Sequence, residues 1–371
     1  MAKNEDPRVL DTVIVGGGIA GLTVGYRLRD RDILLLEKEE VCGGRTISRK
    51  LGEYVYNAGA QVITGDKGLV ARLADELGVK RTLIAKSKTP MHIKGRLIAS
   101  SSEVLFLWKL PLSLREKVKL GLTIFKLRRR YGAVPKELPD LDDPKLIKLN
   151  SATLAEFVDT TQPDLKAIWD VLAMGSTTML SHEVTAYHPL GSFLRLLEDE
   201  YYVEGGTWEL TKTLYRHIED RTETSAEVQE ITQQDGTVEV AYDKDGQHKT
   251  VRARRCVVAV PGPLALPMVK DLPPTKRDAL TKIDYGSMTT AGFLLSEPSE
   301  SFLPEGIWRV PVVSRRICSI TNPTFTFPQE VKERTGQGLL RIYTGDAVAK
   351  ELMELSDGEA LEVLAEELIS T

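Results

Sequence analysis

The sequence predicts an α/β fold, and three observations near the N-terminus support this prediction. A short apolar segment from Thr12 to Val15 has the character of a buried strand and leads directly into a glycine-rich turn. A helical pattern of apolar residues follows the turn and ends near Asp30. A second, fully apolar segment from Ile33 to Leu36 then ends at an acidic residue. Strand, glycine turn, helix and strand in this order indicate a Rossmann-like βαβ unit that binds a dinucleotide.

The glycine turn has the spacing of a pyrophosphate-binding loop. Gly16, Gly18 and Gly21 form G-x-G-x-x-G, and side chains at these positions would block the approach of backbone N–H groups and the helix N-terminus to the phosphates. Glu37 lies twenty-one positions after Gly16, at the end of the second strand. Its carboxylate suits the 2′-OH of an adenosine ribose and would repel the 2′-phosphate of NADP.

A second glycine pair favours FAD over NAD as the dinucleotide. Gly43 and Gly44 precede Arg45, a few residues after Glu37. A simple NAD dehydrogenase has no need of this additional segment. A guanidinium beside exposed backbone amides would add charge-assisted hydrogen bonds to the same pyrophosphate. The sequence therefore predicts an FAD site.

With these motifs the sequence resembles the flavin amine oxidase superfamily, which includes amine and polyamine oxidases, protoporphyrinogen oxidases and phytoene desaturase-like enzymes. The segments that carry the resemblance follow the family's order across nearly the whole chain. They are GGGIAGL at Gly16 to Leu22, Glu37, GGRT at Gly43 to Thr46, AGAQVITG at Ala58 to Gly65, YYVEGGTWELTKTL at Tyr201 to Leu214, AEVQEI at Ala226 to Ile231, and RRCVVAVPGPL at Arg254 to Leu264.

The resemblance implies a Rossmann-like FAD-binding domain, discontinuous in sequence, and a mixed helical and β substrate domain. It places Gly59, Ala60, Gln61 and Val62 near the ribityl chain and flavin ring, and the backbone of Val228 against the adenine. The complete set of predicted cofactor-binding residues is Gly16, Gly18, Ala20, Gly21, Glu37, Lys38, Gly44, Arg45, Gly59, Ala60, Gln61, Val62 and Val228. No catalytic residue is predicted. His182 and His188 lack further ligands at metal-site spacing, so no metal site is predicted.

The two predicted domains alternate along the chain. The FAD-binding domain is expected to comprise residues 1–75 and 200–264, and the substrate domain residues 76–199 and 265–371. Within the second FAD-binding segment, a helix is predicted from Thr207 to Ile218, followed by antiparallel strands at 238–242 and 250–260. Asp245 and Gly246 suit the turn between them. Residues 76–200 are expected to be largely helical, and 265–345 to contain several short strands.

A final strand-helix unit, which in the resembled family closes over the flavin, is not found in this sequence. Gly345 and Asp346 match its G-D pair, but they precede an acidic helical segment that comes well before that unit in the family. The chain is therefore expected to be a piece of a longer protein.

The cofactor motifs predict oxidation of a C–H or C–N bond, with hydride passing to the flavin and electrons then passing to oxygen or another acceptor. Amine-oxidising members of the resembled family usually carry a lysine at the end of a G-S-x-x-K-like stretch, where it holds a water at the flavin N5. The matching stretch here is Gly286 to Thr290, which ends in threonine. The favoured interpretation is therefore dehydrogenation of a hydrophobic substrate, as in protoporphyrinogen oxidases or carotenoid desaturases. The alternatives are a flavin amine oxidase, a redox-neutral flavin isomerase and a non-catalytic flavin-binding protein.

Composition and charge restrict the partners and the compartment. The net charge of −4 implies no general surface for nucleic acid. Cys42, Cys256 and Cys318 are isolated, as is typical of a reducing compartment. The polar N-terminus leads directly into the first strand and leaves no room for a signal peptide, so a cytoplasmic location is expected.

Residues 104–131 have a different charge pattern from the rest of the chain. Eight cations and one anion lie between Lys109 and Arg130, a net charge of +7. On a helical wheel, Val118, Leu122 and Phe125 fall on one side, nearly opposite a second apolar group formed by Leu120, Ile124 and Leu127. Two interpretations follow: a helix between two layers of protein, or a peripheral contact with the inner face of a membrane that extracts an apolar substrate.

Overall fold

The structure, a computed structural model, describes residues 8–132, 142–194, 199–313 and 315–371. Its strands are β1 (Val9–Val15), β2 (Ile33–Leu36), β3 (Ser48–Leu51), β4 (Tyr54–Asn57), β5 (Ile63–Thr64), β6 (Arg81–Leu83), β7 (Thr89–Ile93), β8 (Arg96–Ser100), β9 (Glu200–Val203), β10 (Thr222–Glu223), β11 (Ala226–Gln234), β12 (Thr237–Lys244), β13 (Gln247–Val258), β14 (Thr290–Leu295), β15 (Arg309–Pro311), β16 (Ile317–Thr321) and β17 (Gly338–Thr344).

The α-helices are α1 (Ile19–Arg27), α2 (Leu69–Glu76), α3 (Glu103–Lys109), α4 (Leu114–Tyr131), α5 (Pro144–Ser151), α6 (Pro163–Thr177), α7 (Tyr187–Leu194), α8 (Trp208–Arg216), α9 (Gly262–Met268), α10 (Pro274–Thr281), α11 (Gln329–Thr335), α12 (Asp346–Met353) and α13 (Asp357–Ile369).

The sheet that carries the glycine turn has six strands in the order β10-β2-β1-β13-β12-β11. β1 pairs in parallel with β2 on one side and with β13 on the other, while β11, β12 and β13 are antiparallel. The predicted βαβ unit is confirmed, although β1 begins at Val9 rather than Thr12. α1 ends at Arg27, before the predicted Asp30, because the Leu28 carbonyl accepts from the Arg31 N–H in a turn that leads into β2.

The second half of this sheet follows the predicted order of elements. α8 packs on α1 and ends at Arg216 rather than at the predicted Ile218. Ile218, just beyond α8, lies so close to α1 that a Cβ at Gly25 would be 2.4 Å from its side chain. The hairpin of β12 and β13 turns at Asp245 and Gly246, whose φ angles are +52° and +72°. Two successive residues with positive φ make the tight hairpin turn that matches the twist of the strands.

A second, four-stranded antiparallel sheet has the order β14-β17-β16-β15. One of its faces lies against a helical cluster that is centred on the buried Trp169 of α6. The region 76–200 is less helical than expected, because it also contains β6, β7 and β8. β7 and β8 form a hairpin, and Lys94 and Gly95 both take positive φ in its turn.

The basic segment forms two helices, with Pro111 between α3 and α4. A capping box of Ser113 and Glu116 begins α4. Leu120 and Leu127 are buried in the helical cluster. The opposite face remains uncovered, so the interpretation as a helix between two protein layers is wrong for this structure: Val118, Leu122 and Phe125 are 52–62% exposed. No helix in the described ranges is long and apolar enough to span a bilayer.

Candidate functional site

The glycine turn between β1 and α1 accepts only glycine at two positions. Gly16 has φ of +105°, and a Cβ at Gly21 would lie 1.9 Å from the Gly16 carbonyl oxygen. Gly18 differs, because a Cβ at this position would meet no atom within 4 Å. Ala20 lies in the first turn of α1. The open space beside Gly18 at the start of α1 is where a phosphate could approach backbone N–H groups.

Glu37 at the end of β2 is held against this turn. Its Oε2 accepts from the Gly17 N–H, and its Oε1 accepts from the Glu39 N–H at 2.9 Å. A Cβ at Gly17 would lie 2.9 Å from Oε2, so the carboxylate also requires glycine at position 17. The sequence analysis did not single out this glycine. Each carboxylate oxygen retains a further lone pair, which leaves capacity to accept a ribose hydroxyl.

The second glycine pair lies directly on the first. The Gly43 N–H donates to the Gly17 carbonyl at 2.9 Å, and Gly44 has φ of +53° with its Cβ position 3.3 Å from the Gly18 Cα. Arg45 is exposed, and its guanidinium lies 6.0 Å from the Tyr285 ring centroid. The predicted pyrophosphate residues are therefore brought together. Lys38 is also exposed and forms an ion pair with its neighbour Glu39 at 3.3 Å.

The predicted flavin segment, residues 59–62, is paired with the Arg45 segment. The Ala60 N–H donates to the Arg45 carbonyl at 2.8 Å. A Cβ at Gly59 would lie 2.0 Å from that carbonyl oxygen, so the close approach requires glycine. Gln61 donates to the Asn57 carbonyl at 3.0 Å, and the Asn57 amide donates to the Gln61 carbonyl at 2.8 Å. This reciprocal pair fixes the turn that leads to Val62.

Two buried polar residues that the sequence analysis missed join these segments. The Thr207 hydroxyl lies 3.1 Å from the Thr46 carbonyl and 3.0 Å from the Ala60 carbonyl. The Asn57 side-chain oxygen accepts from the Thr207 N–H at 2.9 Å and from the Ser48 hydroxyl at 2.8 Å. Thr207 lies in the GGTW segment, but its role depends on contacts with residues about 150 positions away.

Val228 lies near Glu37 in space. The Ala226 N–H donates to the Glu37 carbonyl at 2.9 Å, so β11 begins beside the end of β2. The pairing of β11 with β12 shifts between Val228 and Glu230, as in a β-bulge. The Val228 side chain is buried, so only its backbone is suited to contact a ligand. The predicted ribose and adenine residues are therefore neighbours.

Two neighbouring cavities share five lining residues, and one of them reaches the predicted flavin segment at Val62. The inner cavity has a volume of about 310 Å³ and is lined by Val62 and Tyr343, among others. The outer cavity has a volume of about 680 Å³ and reaches α3 and α4. Both cavities are lined by Leu172, Phe193, Glu200, Arg309 and Pro311. His188 lines the inner cavity, and within the described ranges no group of three His, Cys, Asp or Glu side chains could hold a metal ion.

The position where the resembled amine oxidases usually have lysine is close to the flavin segment. The Thr290 hydroxyl donates to the Ala58 carbonyl at 3.1 Å. Lys282, the preceding lysine, is exposed and pairs with Asp278 at 2.7 Å. Arg341, a cation that the sequence analysis did not identify, donates to the Ala58 carbonyl at 3.3 Å and is almost completely buried. Burial lowers the pKa of Arg341 to about 10, so the side chain is still a cation at neutral pH.

Comparison with known proteins decides the family. A family model described as flavin containing amine oxidoreductase matches residues 19–369. The chain belongs to this family. As a flavin-containing amine oxidoreductase, it is an FAD-dependent oxidoreductase, which confirms the predicted cofactor and enzyme class.

The similar proteins are flavin-containing amine oxidases. One from Oncorhynchus mykiss is 24% identical over 304 residues, which cover 75% of this oxidoreductase and 55% of the relative. Amine oxidase B of Mus musculus is 23% identical over 308 residues, which cover 78% of this chain and 58% of that relative. The oxidoreductase chain thus matches little more than half of the length of these relatives.

Solved structures show the same fold. Putrescine oxidase bound to putrescine superposes with a TM-score of 0.78 at 19% identity, covering 98% of this chain and 82% of the other. Cyclohexylamine oxidase from Brevibacterium oxydans gives a TM-score of 0.74 at 16% identity, and the match covers 98% of this chain and 81% of the other. The predicted Rossmann-like fold is confirmed. The comparisons support the amine oxidase alternative better than the protoporphyrinogen oxidase or desaturase interpretation.

Proposed function

We propose that this oxidoreductase uses FAD to oxidise an amine with a large apolar portion and passes the electrons to oxygen. The observation that carries the proposal is the continuity of the two sites. The flavin segment 59–62 lies against the glycine turns at one end, and its last residue, Val62, lines the inner cavity. A substrate in that cavity would therefore meet the flavin end of the cofactor rather than its adenine end. Family membership supplies the amine chemistry.

The proposal assigns the predicted cofactor residues to separate parts of FAD. The backbones of Gly16, Gly18, Ala20, Gly21 and Gly44 and the guanidinium of Arg45 would hold the pyrophosphate. Glu37 would accept from the ribose hydroxyls, with Lys38 at the edge of the site and the Val228 backbone against adenine. Residues 59–62 would hold the ribityl chain and the ring. Bound FAD would supply the hydride acceptor that amino acid side chains lack.

The apolar part of the substrate is assigned from the outer cavity. Phe106, Leu107, Leu120 and Ile124 are among its lining residues, and its volume of about 680 Å³ is within the usual range for a small-molecule site. Thr290 occupies the position of the usual lysine, which further favours a substrate unlike the simplest primary amines.

Anaerobic mixing with candidate substrates tests the function. Bleaching of the flavin absorbance by an amine, followed by hydrogen peroxide release when oxygen is admitted, is the expected result. Product formation with no electron acceptor would instead identify a redox-neutral isomerase. Failure of every amine to bleach the flavin or to give product would favour a non-catalytic flavin-binding protein.

We also propose that α3 and α4 contact an anionic membrane surface, which for a cytoplasmic protein is the inner face of the membrane. The exposed faces of these helices combine large apolar side chains with cations. The apolar ones are Val104, Leu105, Trp108, Leu114, Val118, Leu122 and Phe125, and the exposed cations are Lys109, Arg115, Lys126, Arg129 and Arg130. Val104 and Phe125 also line the outer cavity, so an apolar substrate could enter it from lipid.

A further inference from the structure

Two arginines share one face of the four-stranded sheet. In the strand register, Arg309 of β15 lies opposite Thr321, Thr321 lies opposite Arg341, and Arg341 lies opposite Gly292. These four residues form one row across the sheet. Neighbouring strands are about 4.8 Å apart, so the Cα atoms of Arg309 and Arg341 are roughly 10 Å apart.

The next row on the same face lines the inner cavity. It consists of Pro311, Ser319, Tyr343 and Thr290, each two residues along its strand from a member of the first row. Pro311, Ser319 and Tyr343 line the inner cavity, and Arg309 lines both cavities. The sheet therefore places a guanidinium in the wall that the two cavities share, with Thr290 and the flavin segment at the opposite end of the face.

One carboxylate beside the cavities, that of Glu200, pairs with two cations. Glu200 accepts from Lys86 at 3.0 Å, and the Arg309 Nη2 is 3.6 Å from the same carboxylate, too far for a hydrogen bond. In the described part of the chain, the buried Nε of Arg309 has no hydrogen-bond partner, nor do Nε and Nη1 of Arg341. Lys86 and Arg309 therefore share one carboxylate.

A protonated amine bound there without a counter-charge would add a further positive charge beside these two cations. A carboxylate would supply that counter-charge and matches the planar fork of arginine. We propose that the substrate is an amine that also carries a carboxylate, which Arg309 binds where the two cavities adjoin. This inference rests on the proposed amine oxidation, since it specifies the substrate of the same site.

Binding of paired ligands tests the inference without turnover. Titration calorimetry on the full chain, as purified, compares 4-phenylbutyrate with 4-phenylbutyramide, which has the same shape but no charge. We expect the carboxylate to bind at least tenfold more tightly. Equal affinity for the two ligands would overturn the inference, and this comparison requires no variant.

Substitutions then test whether Arg309 is the residue that attracts the ligand carboxylate. R309Q should abolish the preference for the carboxylate, and R309K, which keeps the charge but lacks the fork, should retain part of it. K88Q is the matched control, because Lys88 is a cation of the outer cavity and its ammonium donates to the Glu305 carbonyl. A loss of preference in K88Q equal to that in R309Q would contradict the assignment to Arg309.

The two proposals fail in different ways. If no amine bleaches the flavin but the carboxylate preference is present and depends on Arg309, the proposed function is wrong and the binding site stands. If amines are oxidised but 4-phenylbutyrate and its amide bind equally, the function stands and the carboxylate site is wrong.

Discussion

The side chains of Thr290 and Arg341 donate to the same acceptor, the carbonyl oxygen of Ala58, at 3.1 and 3.3 Å. They reach it from two neighbouring strands, since Thr290 lies on β14 and Arg341 on β17. Ala58 immediately precedes the predicted flavin segment. The position of the usual lysine therefore holds a neutral residue, and a buried cation lies next to it.

This cation should be costly to the folded state. Burial lowers the pKa of Arg341 to about 10 from the ordinary value of 12.5. Arg341 remains charged below pH 10, so at every such pH its charge destabilises the folded state relative to the unfolded chain. We expect Arg341→Met to leave the free energy of unfolding at pH 7 unchanged or to raise it by about 1–2 kcal/mol, as when other buried charges are replaced by apolar groups. Urea unfolding measures this change, and a destabilisation above about 2 kcal/mol would contradict it.

Two glycine substitutions should separate folding from cofactor binding. Gly18→Ala should fold normally, because Gly18 has φ of −75° and its Cβ position faces open space. It should nevertheless weaken FAD binding about tenfold or more, about 1.4 kcal/mol, because the methyl group points into the space assigned to phosphate. Gly21→Ala should instead destabilise the fold by roughly 1–3 kcal/mol, because its Cβ would overlap the Gly16 carbonyl. Thermal melting and FAD fluorescence titration give the two readouts, and unchanged FAD affinity in Gly18→Ala would refute the assignment.

Glu37 should determine the preference for the adenosine half of the cofactor. Glu37→Ala should cost roughly 1.5–3 kcal/mol of FAD binding, the range for a hydrogen bond to a charged group. Glu39→Ala is the matched control, because Glu39 is an exposed carboxylate two residues away. The unchanged protein should prefer FAD to FMN. Stoichiometric FMN in the purified protein, or equal losses in the two variants, would be inconsistent with this role.

The exposed face of α3 and α4 should bind anionic lipid. In a flotation experiment the protein should rise with phosphatidylserine vesicles, because each cation near the anionic surface contributes about 1 kcal/mol of binding. Added salt should weaken the binding, because it screens this attraction. Leu122→Glu with Phe125→Glu should reduce flotation. Met353→Glu, which alters a comparably exposed residue on α12, should not. Flotation that is insensitive to salt and to both sets of substitutions would exclude this surface.

Simple amines should be poor substrates. A simple amine has no carboxylate to place against Arg309 in the wall of the inner cavity, and Thr290 replaces the usual lysine. Benzylamine should therefore release hydrogen peroxide much more slowly than 4-(aminomethyl)benzoate, which adds a carboxylate to the same scaffold. Faster oxidation of benzylamine would contradict this prediction.

The predictable parts of the molecule are those that depend on local sequence. The glycines of the first turn, the apolar strands beside them and the Asp245-Gly246 turn are determined by the backbone conformations of nearby residues. Arg309 and Arg341 could not be identified in this way, because their proximity depends on the register of β15, β16 and β17. Thr207 and Asn57 were missed for the same reason, since their hydrogen bonds join distant segments.

The basic segment shows an intermediate case. Its periodicity indicates the two apolar faces of α4, represented by Leu120 and Leu122. Periodicity cannot indicate which face the rest of the fold covers, because that depends on where α6 and its neighbours pack. The sequence gives little indication of the hairpin of β7 and β8, because its turn, at Lys94 and Gly95, is short and has only one glycine.

The position of β1 in the middle of its sheet affects the order of folding during synthesis. Val15 pairs with Leu36 on one side and with Val258 on the other, 243 residues later in the chain. At the ribosome's pace of about 5–20 residues per second, the first strand waits roughly 10–50 s for this second partner. During that interval one edge of an apolar strand is unpaired and can pair with another nascent chain. Lower growth temperatures would slow translation and lengthen this exposure. Because the edge of β1 is exposed, the yield of soluble protein should depend on chaperones that shield the N-terminal segment until β13 has been made.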